Sequence, residues 1–110
     1  MRALFVCSRN RLRSPTAEAV FAAYDGLEAL SAGTDADAVT PVDVELIEWA
    51  EMVFAMENSH RNKLRQRFGK LLDTKRLVVL NIRDDYDYMQ PELVAILKKK
   101  VPPHLPRLMP

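Results

Sequence analysis

The segment 5–15 of this 110-residue chain holds its only cysteine, in the order Cys7-x5-Arg13-Ser14-Pro15. An apolar run typical of a buried strand ends at Cys7, and the residues from Ser14 onward favour a helix. A tight loop between a strand and a helix turns successive backbone N–H groups toward one point, where they can bind an anion. The positive end of the helix dipole acts at the same point, and the planar guanidinium of Arg13 matches two oxygens of a phosphate.

A thiol at the base of such a loop is surrounded by positive potential, which favours its thiolate form. An ionised Cys7 beside a bound phosphate would be a nucleophile for covalent phosphoryl transfer. The opposing interpretation is that a lone cysteine at a strand end is a small core residue. The combination of a strand, the C-x5-R-S spacing, a proline and an amphipathic helix favours the catalytic interpretation.

The elements that must position these residues are indicated by alternating strand and helix periodicities. Strands are predicted at 2–6, 27–34, 51–56 and 76–80, and a last helix at 90–100. The first three helices are predicted to have Ser14, Thr40 and Ser59 as N-caps, with Pro15 and Pro41 at first helical positions. The βαβαβαβα order predicts an α/β fold, a three-layer sandwich with a four-stranded parallel sheet and helices on both faces.

The whole chain, residues 1–110, is expected to form one domain with an extended, proline-rich tail at 101–110. A net charge of +1 predicts neither a nucleic-acid nor a membrane partner, and no oligomeric state is predicted. A single cysteine excludes an internal disulfide and favours a reducing, cytoplasmic location. His60 and His104 form no ligand cluster with Cys7, so neither a metal nor another cofactor is expected.

A second motif, RDDYDY at 83–88, follows the fourth predicted strand. In a parallel sheet this loop lies at the same carboxyl edge as Cys7, where ligands bind in folds of this class. Loops at such an edge often carry function, although an acidic turn of this kind can also be merely solvated.

The opening residues LFVCSRNRLRSPTAEAVF resemble those of the low-molecular-weight protein tyrosine phosphatases, whose signature is C-x5-R-S-P followed by a helix. The resemblance continues through SAGT (31–34) and MVFAMENSH (52–60) and ends with RDDYDY, which is similar to the family's late acidic loop. The best match is a short bacterial branch of predicted phosphatases. The resemblance implies a phosphomonoester hydrolase without a cofactor, acting on a phosphotyrosine protein or a small aryl phosphate.

The resemblance also implies roles for individual residues. Cys7 would form a phosphocysteine, Arg13 would clamp the phosphate, and Ser14 would hydrogen-bond the thiolate. Asn10 would hold the loop in shape, in a left-handed conformation that asparagine tolerates. Asp84 would be the general acid and base, with Asp85 and Asp87 as alternatives. The other predicted phosphate-binding loop residues are Ser8, Arg9, Arg11 and Leu12, and the substrate-lining residues are Tyr86, Tyr88 and Asp85.

The sequence departs from the family at three loop positions. Arg9 replaces a common glycine, Leu12 replaces a second cysteine, and Arg11 adds a charge that either recruits an acidic substrate or lies in solvent. The chain is also shorter, which removes part of the usual substrate wall.

Three alternatives remain open. One is a phosphate-binding or phosphopeptide-binding module without turnover, and another is an arsenate reductase that uses an external thiol. The third is a nucleic-acid binder that uses the basic segment 60–70, although a solvated helix face explains those charges more simply.

Overall fold

The computed structural model describes residues 1–105 and has the predicted order of strands and helices. The strands are β1 (Arg2–Cys7), β2 (Glu28–Gly33), β3 (Met52–Ala55) and β4 (Arg76–Val79). The helices are α1 (Arg13–Phe21), α2 (Val44–Trp49), α3 (Asn58–Phe68) and α4 (Pro91–Lys100), and short 3₁₀ helices follow at Gly69–Leu72 and Pro102–His104. None of the helices in this part of the chain is long and apolar enough to cross a membrane.

The predicted tail is only partly described. Residues 106–110 lie outside the described residues. Residues 102–104 form a 3₁₀ helix rather than the predicted extended segment. Val101 just before it is fully buried in the core, so packing holds this turn against the domain.

The four strands form one sheet in the order β2-β1-β3-β4, and every neighbouring pair is parallel. Phe5 belongs to a core cluster that includes residues of α1 and α4, whereas Leu4 and Val6 belong to a second cluster with residues of α2 and α3. Because neighbouring residues of a strand point to opposite faces, β1 is covered on both sides. The predicted three-layer sandwich with a four-stranded parallel sheet is therefore confirmed.

A stack of aromatic rings fixes α1 against the centre of the sheet. The ring of Phe5 stacks on those of Phe21 and Phe54, with centroid distances of 5.6 and 5.1 Å. Each such pair contributes about 0.5–1.5 kcal/mol beyond the area it buries. Since Phe5 precedes Cys7 and Phe21 ends α1, the stack helps to set the geometry of the loop between β1 and α1.

The predicted caps of the second and third helices are wrong. α2 begins later than expected, and its N-cap is Asp43, whose carboxylate accepts a hydrogen bond from the N–H of Leu46 at 2.8 Å. Thr40 is excluded from that role because its carbonyl accepts from Gly33 and holds the segment extended beside β2. α3 begins one residue before Ser59, with Glu57 as its N-cap residue, whose N–H donates to Nδ1 of His60.

Gly33 ends β2 directly beside Cys7, its partner in the sheet register. A Cβ atom at Gly33 would lie 2.5 Å from the backbone oxygen of Ser8 and 2.5 Å from the Cβ of Ala38. Distances below 3 Å are hard clashes, so the Cys7 loop packs this closely only against a glycine.

We expect Gly33→Ala to displace the backbone at Ser8 and to lower the free energy of unfolding by roughly 1–3 kcal/mol, as overpacking does. Urea unfolding measures the stability, and titration with inorganic phosphate measures the damage to the loop. Gly69→Ala is the matched control, because its strain comes from a backbone φ of 24° with no atom within 4 Å of the added Cβ. Equal phosphate affinities for the two variants would contradict this account.

Candidate active site

The loop between β1 and α1 borders a cavity of about 540 Å³ at the carboxyl edge of the sheet. The cavity brings together residues from three separate segments of the chain: Cys7, Ser8, Arg9, Arg11, Leu12, Arg13, Asp35 and Asp84. All of these except Asp35 are residues that the sequence analysis selected. The cavity therefore collects a thiol, a guanidinium and a carboxylate that are distant in sequence.

The loop also leaves backbone donors free. Within residues 1–105, the N–H groups of residues 9–12 donate neither to a backbone carbonyl nor to a side chain. Asn10 makes this loop shape possible, with the left-handed φ of 58° that was predicted for it. Successive unpaired N–H groups at the start of a helix are an arrangement that binds anions.

The hydroxyl of Ser14 serves Cys7 instead of capping α1. Ser14 Oγ lies 2.9 Å from Cys7 Sγ, and both residues are buried. The helix begins at Arg13, and Leu12 occupies the N-cap position without a side-chain cap. The predictions of Ser14 as the cap and Pro15 as the first helical residue are therefore wrong, because the tertiary contact with Cys7 takes the hydroxyl.

A chain of hydrogen bonds orients that hydroxyl. Ser31 Oγ donates to Glu18 Oε1 at 2.5 Å, so it accepts from Asn10 Nδ2 at 2.9 Å. The second Nδ2 proton of Asn10 goes to Ser14 Oγ, also at 2.9 Å. The proton of Ser14 is then left for Cys7 Sγ, because its other acceptor, a backbone oxygen, is 3.4 Å away. The network thus supplies a hydrogen-bond donor to the sulfur.

Arg13 is held in place by partners that the sequence analysis missed. Its side chain is only 3% exposed, and its Nη1 donates to Glu57 Oε2 at 2.5 Å and to the carbonyl of Ile82 at 2.7 Å. Glu57 is also the N-cap of α3, so one carboxylate ties the helix start to the guanidinium. The sequence did hold a signal for Glu57, because this residue directly follows the third predicted strand, at the edge that carries Cys7.

His60 joins α3 to the loop. Its Nε2 lies 2.8 Å from Ser8 Oγ, and its Nδ1 accepts a hydrogen bond from the backbone N–H of Glu57 at 3.1 Å. Burial, reinforced by the positive charge of Arg13, lowers the pKa of His60 from 6.5 to about 4. In the sequence, His60 was a candidate only for a metal ligand, and no local pattern indicates its contact with Ser8.

Of the three candidate acids, the structure places Asp84 at the cavity. Its Oδ1 lies 3.7 Å from Arg13 Nε, and its side chain is 62% exposed. Asp85 instead accepts two hydrogen bonds from the guanidinium of Arg83, at 2.6 and 2.9 Å. Asp87 contributes its N–H to the turn before α4. Neither of these two borders the cavity.

The two predicted aromatic residues do not line the Cys7 cavity. Tyr86 is partly buried and packs against the core cluster that contains Phe5. Tyr88 is 53% exposed and borders a neighbouring cavity of about 680 Å³, which shares Arg11 with the first. The wall near the sulfur is thus polar and charged rather than aromatic.

The charges at the rim are unevenly paired. The carboxylate of Asp35 lies 3.9 Å from Arg9 Nε and 3.8 Å from Lys63 Nζ. Arg11, in contrast, is exposed and forms no ion pair with any residue from 1 to 105. The cavity is bordered by three arginines and two aspartates, so an anion is favoured there. No group of three or more His, Cys, Asp or Glu side chains in the described part of the chain is placed to hold a metal ion.

Comparison with solved structures finds this fold among phosphatases. YwlE arginine phosphatase from Geobacillus stearothermophilus is 25% identical, with a TM-score of 0.70 over 89% of this chain and 88% of that chain. A C7S mutant of YwlE arginine phosphatase, which carries a phosphorylated active-site serine, is 26% identical, with a TM-score of 0.70 over 90% of this chain and 92% of that chain.

A third relative, SP-PTP, is a low-molecular-weight protein tyrosine phosphatase from Streptococcus pyogenes. It is 16% identical, with a TM-score of 0.73 over 99% of this chain and 93% of that chain, and it supports the fold alone. No protein-family model and no curated protein sequence matches this chain. The predicted resemblance to the low-molecular-weight phosphatases is confirmed by structure, with Cys7 and Arg13 at the two ends of the N-terminal loop.

The lowered pKa of His60 predicts a specific acid sensitivity. Between pH 6.5 and about 4 the unfolded chain binds a proton at His60 that the folded chain does not, so stability is lost as the pH falls through this window. The loss attributable to His60 should reach about 3 kcal/mol. Urea unfolding from pH 7 to pH 4 measures it, with His60→Asn as the reference, because asparagine can still accept from the N–H of Glu57. Parallel pH profiles for the two proteins would contradict the assignment.

Proposed function

We propose that this chain, which has the fold of low-molecular-weight phosphatases, hydrolyses phosphomonoesters through a phosphocysteine formed on Cys7. The observation that carries the proposal is the joint placement of Cys7, Arg13 and Asp84 around one cavity. The proposed substrate is a phosphotyrosine protein or a small aryl phosphate. The protein would require no cofactor.

Phosphate binding would use the free donors of the loop. The unpaired N–H groups of residues 9–12 and the fork of Arg13 would hold the non-bridging oxygens. Glu57 and the Ile82 carbonyl already engage Nη1, which leaves Nη2 for the ligand, together with Nε, whose contact with Asp84 is 3.7 Å long. Because these donors are fixed before the substrate arrives, they need little reorganisation in the transition state.

Phosphoryl transfer would then proceed in two displacements. The sulfur of Cys7 attacks phosphorus, a P–S bond forms, and the P–O bond to the leaving group breaks as Asp84 protonates the leaving oxygen. In the second step Asp84 takes a proton from water, whose oxygen attacks phosphorus and breaks the P–S bond. Inorganic phosphate and the thiolate are released, and the Ser14 hydroxyl donates to the returning sulfur.

The alternatives have less support. A binding module requires neither a thiol nor an acid, yet Cys7 and Asp84 border the same cavity. An arsenate reductase with its own cysteine relay is inconsistent with a single cysteine, which leaves only a version that uses an external thiol. The basic residues of α3 are largely exposed, as a solvated face would be.

Hydrolysis of p-nitrophenyl phosphate without added metal tests the proposal. We expect Cys7→Ser to abolish turnover and Asp84→Asn to lower kcat by roughly 10²–10⁴, the usual contribution of a positioned acid. Asp85→Asn is the matched comparison, because Asp85 is turned toward Arg83. A larger loss for Asp85→Asn than for Asp84→Asn would reassign the acid. Phosphate binding without turnover in the wild type would instead favour the binding module.

A second candidate substrate is phosphoarginine, because three of the matched structures are those of arginine phosphatases. The charge of Arg11 opposes it. The guanidinium of phosphoarginine carries a positive charge, and Arg11, which has no ion-pair partner among residues 1–105, borders the cavity that the group would enter. An aryl phosphate brings no positive charge, and for this reason we favour it.

We therefore expect Arg11→Gln to lower the ratio of kcat/KM for the aryl phosphate over phosphoarginine by roughly fivefold, the upper range for a surface charge. The matched control is Arg65→Gln, since Arg65 is an exposed arginine of α3 that borders neither cavity. The ratio should also fall with added salt, which screens the charge. A wild-type preference for phosphoarginine would overturn this choice of substrate.

A further inference from the structure

We infer that the side chain of Ser8 is an additional phosphate-binding donor and that His60 is the positioning residue that aims it. The inference rests on the proposed function, because it concerns the same cavity. It goes beyond the backbone role predicted for the loop by giving a specific task to one hydroxyl and to one buried imidazole.

The tautomer of His60 follows from its two contacts. The backbone N–H of Glu57 can only donate, so Nδ1 of His60 accepts and carries no proton. A neutral imidazole then has its proton on Nε2, which lies 2.8 Å from Ser8 Oγ. Nε2–H therefore donates to the hydroxyl of Ser8. This donation occupies a lone pair of Ser8 and leaves its own proton unused.

The unused proton has one evident destination. Within residues 1–105, Ser8 Oγ has no hydrogen-bond partner other than His60. Ser8 also borders the cavity that contains Cys7 and Arg13. A phosphoryl oxygen in that cavity would accept the proton.

Because His60 is neutral near neutral pH, its Nε2–H keeps donating to Ser8 Oγ. Protonation of Nδ1 would set two donors, Nδ1–H and the N–H of Glu57, against each other. Among the charged groups around the imidazole, Arg13 and Lys63 oppose its protonation, whereas Glu57 and Asp35 favour it. Burial also opposes protonation of His60, of which only 1% is exposed. Ser8 thus keeps its acceptor role toward His60 and its donor role toward the cavity.

The donor would be useful because phosphoryl transfer places charge on the three non-bridging oxygens. A hydroxyl held in place before binding contributes to both phosphate affinity and transition-state stabilisation. Hydrogen bonds to charged groups are stronger than neutral ones, and we expect the loss of this one to weaken phosphate binding roughly tenfold.

The experiment measures the dissociation constant of inorganic phosphate by calorimetry in the full chain. Ser8→Ala should weaken binding roughly tenfold, and Ser8→Thr, which keeps a hydroxyl, should restore much of it. His60→Asn keeps an acceptor for Glu57 but cannot reach Ser8, so it should weaken binding to a similar extent. His60→Gln can present a donor at the position of Nε2 and should recover part of the affinity.

The double variant Ser8→Ala/His60→Asn gives the decisive comparison. If His60 acts through Ser8, the double variant should bind phosphate no more weakly than Ser8→Ala alone. A merely structural role for His60 predicts additive losses, and that result would overturn the inference. Ser8→Ala removes one hydroxyl and leaves the cap of α3 intact, so unchanged phosphate affinity in this variant would also overturn it.

The failure of this inference is distinguishable from that of the proposed function. Phosphate affinity that depends on Ser8 and His60 as described, without hydrolysis of p-nitrophenyl phosphate, supports the inference and overturns the proposed function. If hydrolysis requires Cys7 but phosphate affinity does not depend on Ser8, the proposed function is supported and this inference is overturned.

Discussion

The buried guanidinium of Arg13 is the constraint on which the rest of the site depends. A charge with 3% exposure must be paired and hydrogen-bonded, because desolvation would otherwise outweigh what its packing contributes. Its partners come from the end of β3, through Glu57, and from the segment after β4, through the carbonyl of Ile82 and the carboxylate of Asp84. Satisfying this one side chain therefore draws both of these segments to Arg13 at the carboxyl edge of the sheet. The cavity beside Cys7 is a consequence of that convergence.

A second layer of polar contacts gives the loop its direction. Asn10 adopts a left-handed conformation, and its side-chain amide donates one hydrogen bond to Ser14 Oγ and one to Ser31 Oγ. Gly33 lets the loop approach β2 more closely than any side chain would permit. Together these contacts leave the N–H groups of residues 9–12 unpaired among the described residues. Polar groups that the fold itself does not use are the ones available to a ligand, and here they occur beside the left-handed backbone of Asn10.

The wrongly predicted helix caps share one physical cause, which is competition from partners that are distant in sequence. Ser14 and Thr40 have the side chains of good N-caps, but tertiary partners took the hydroxyl of the first and held the backbone of the second extended. Glu57 and His60 form a reciprocal cap at the start of α3 instead, with residue types that a propensity rule does not favour. Both also contact the Cys7 loop, so the same pair that starts the helix supports the site. A rule based on local spacing cannot predict which residue caps a helix here, because the competing partner is distant in sequence.

Hydrophobic periodicity predicts the α/β order and the parallel sheet, and the positions of the motifs predict that Cys7, Arg13 and Asp84 lie at one edge of it. Those features depend on hydrophobic periodicity and on the rule that strands of a parallel sheet end on the same side, and both can be read locally. Three further outcomes follow from the packed fold instead. Asp84 rather than Asp85 borders the cavity, Tyr86 packs against the core, and His60 faces Ser8. Each of these outcomes depends on which side chain reaches a partner across the fold. Such distances are set by packing, and packing is a property of the whole chain rather than of any segment.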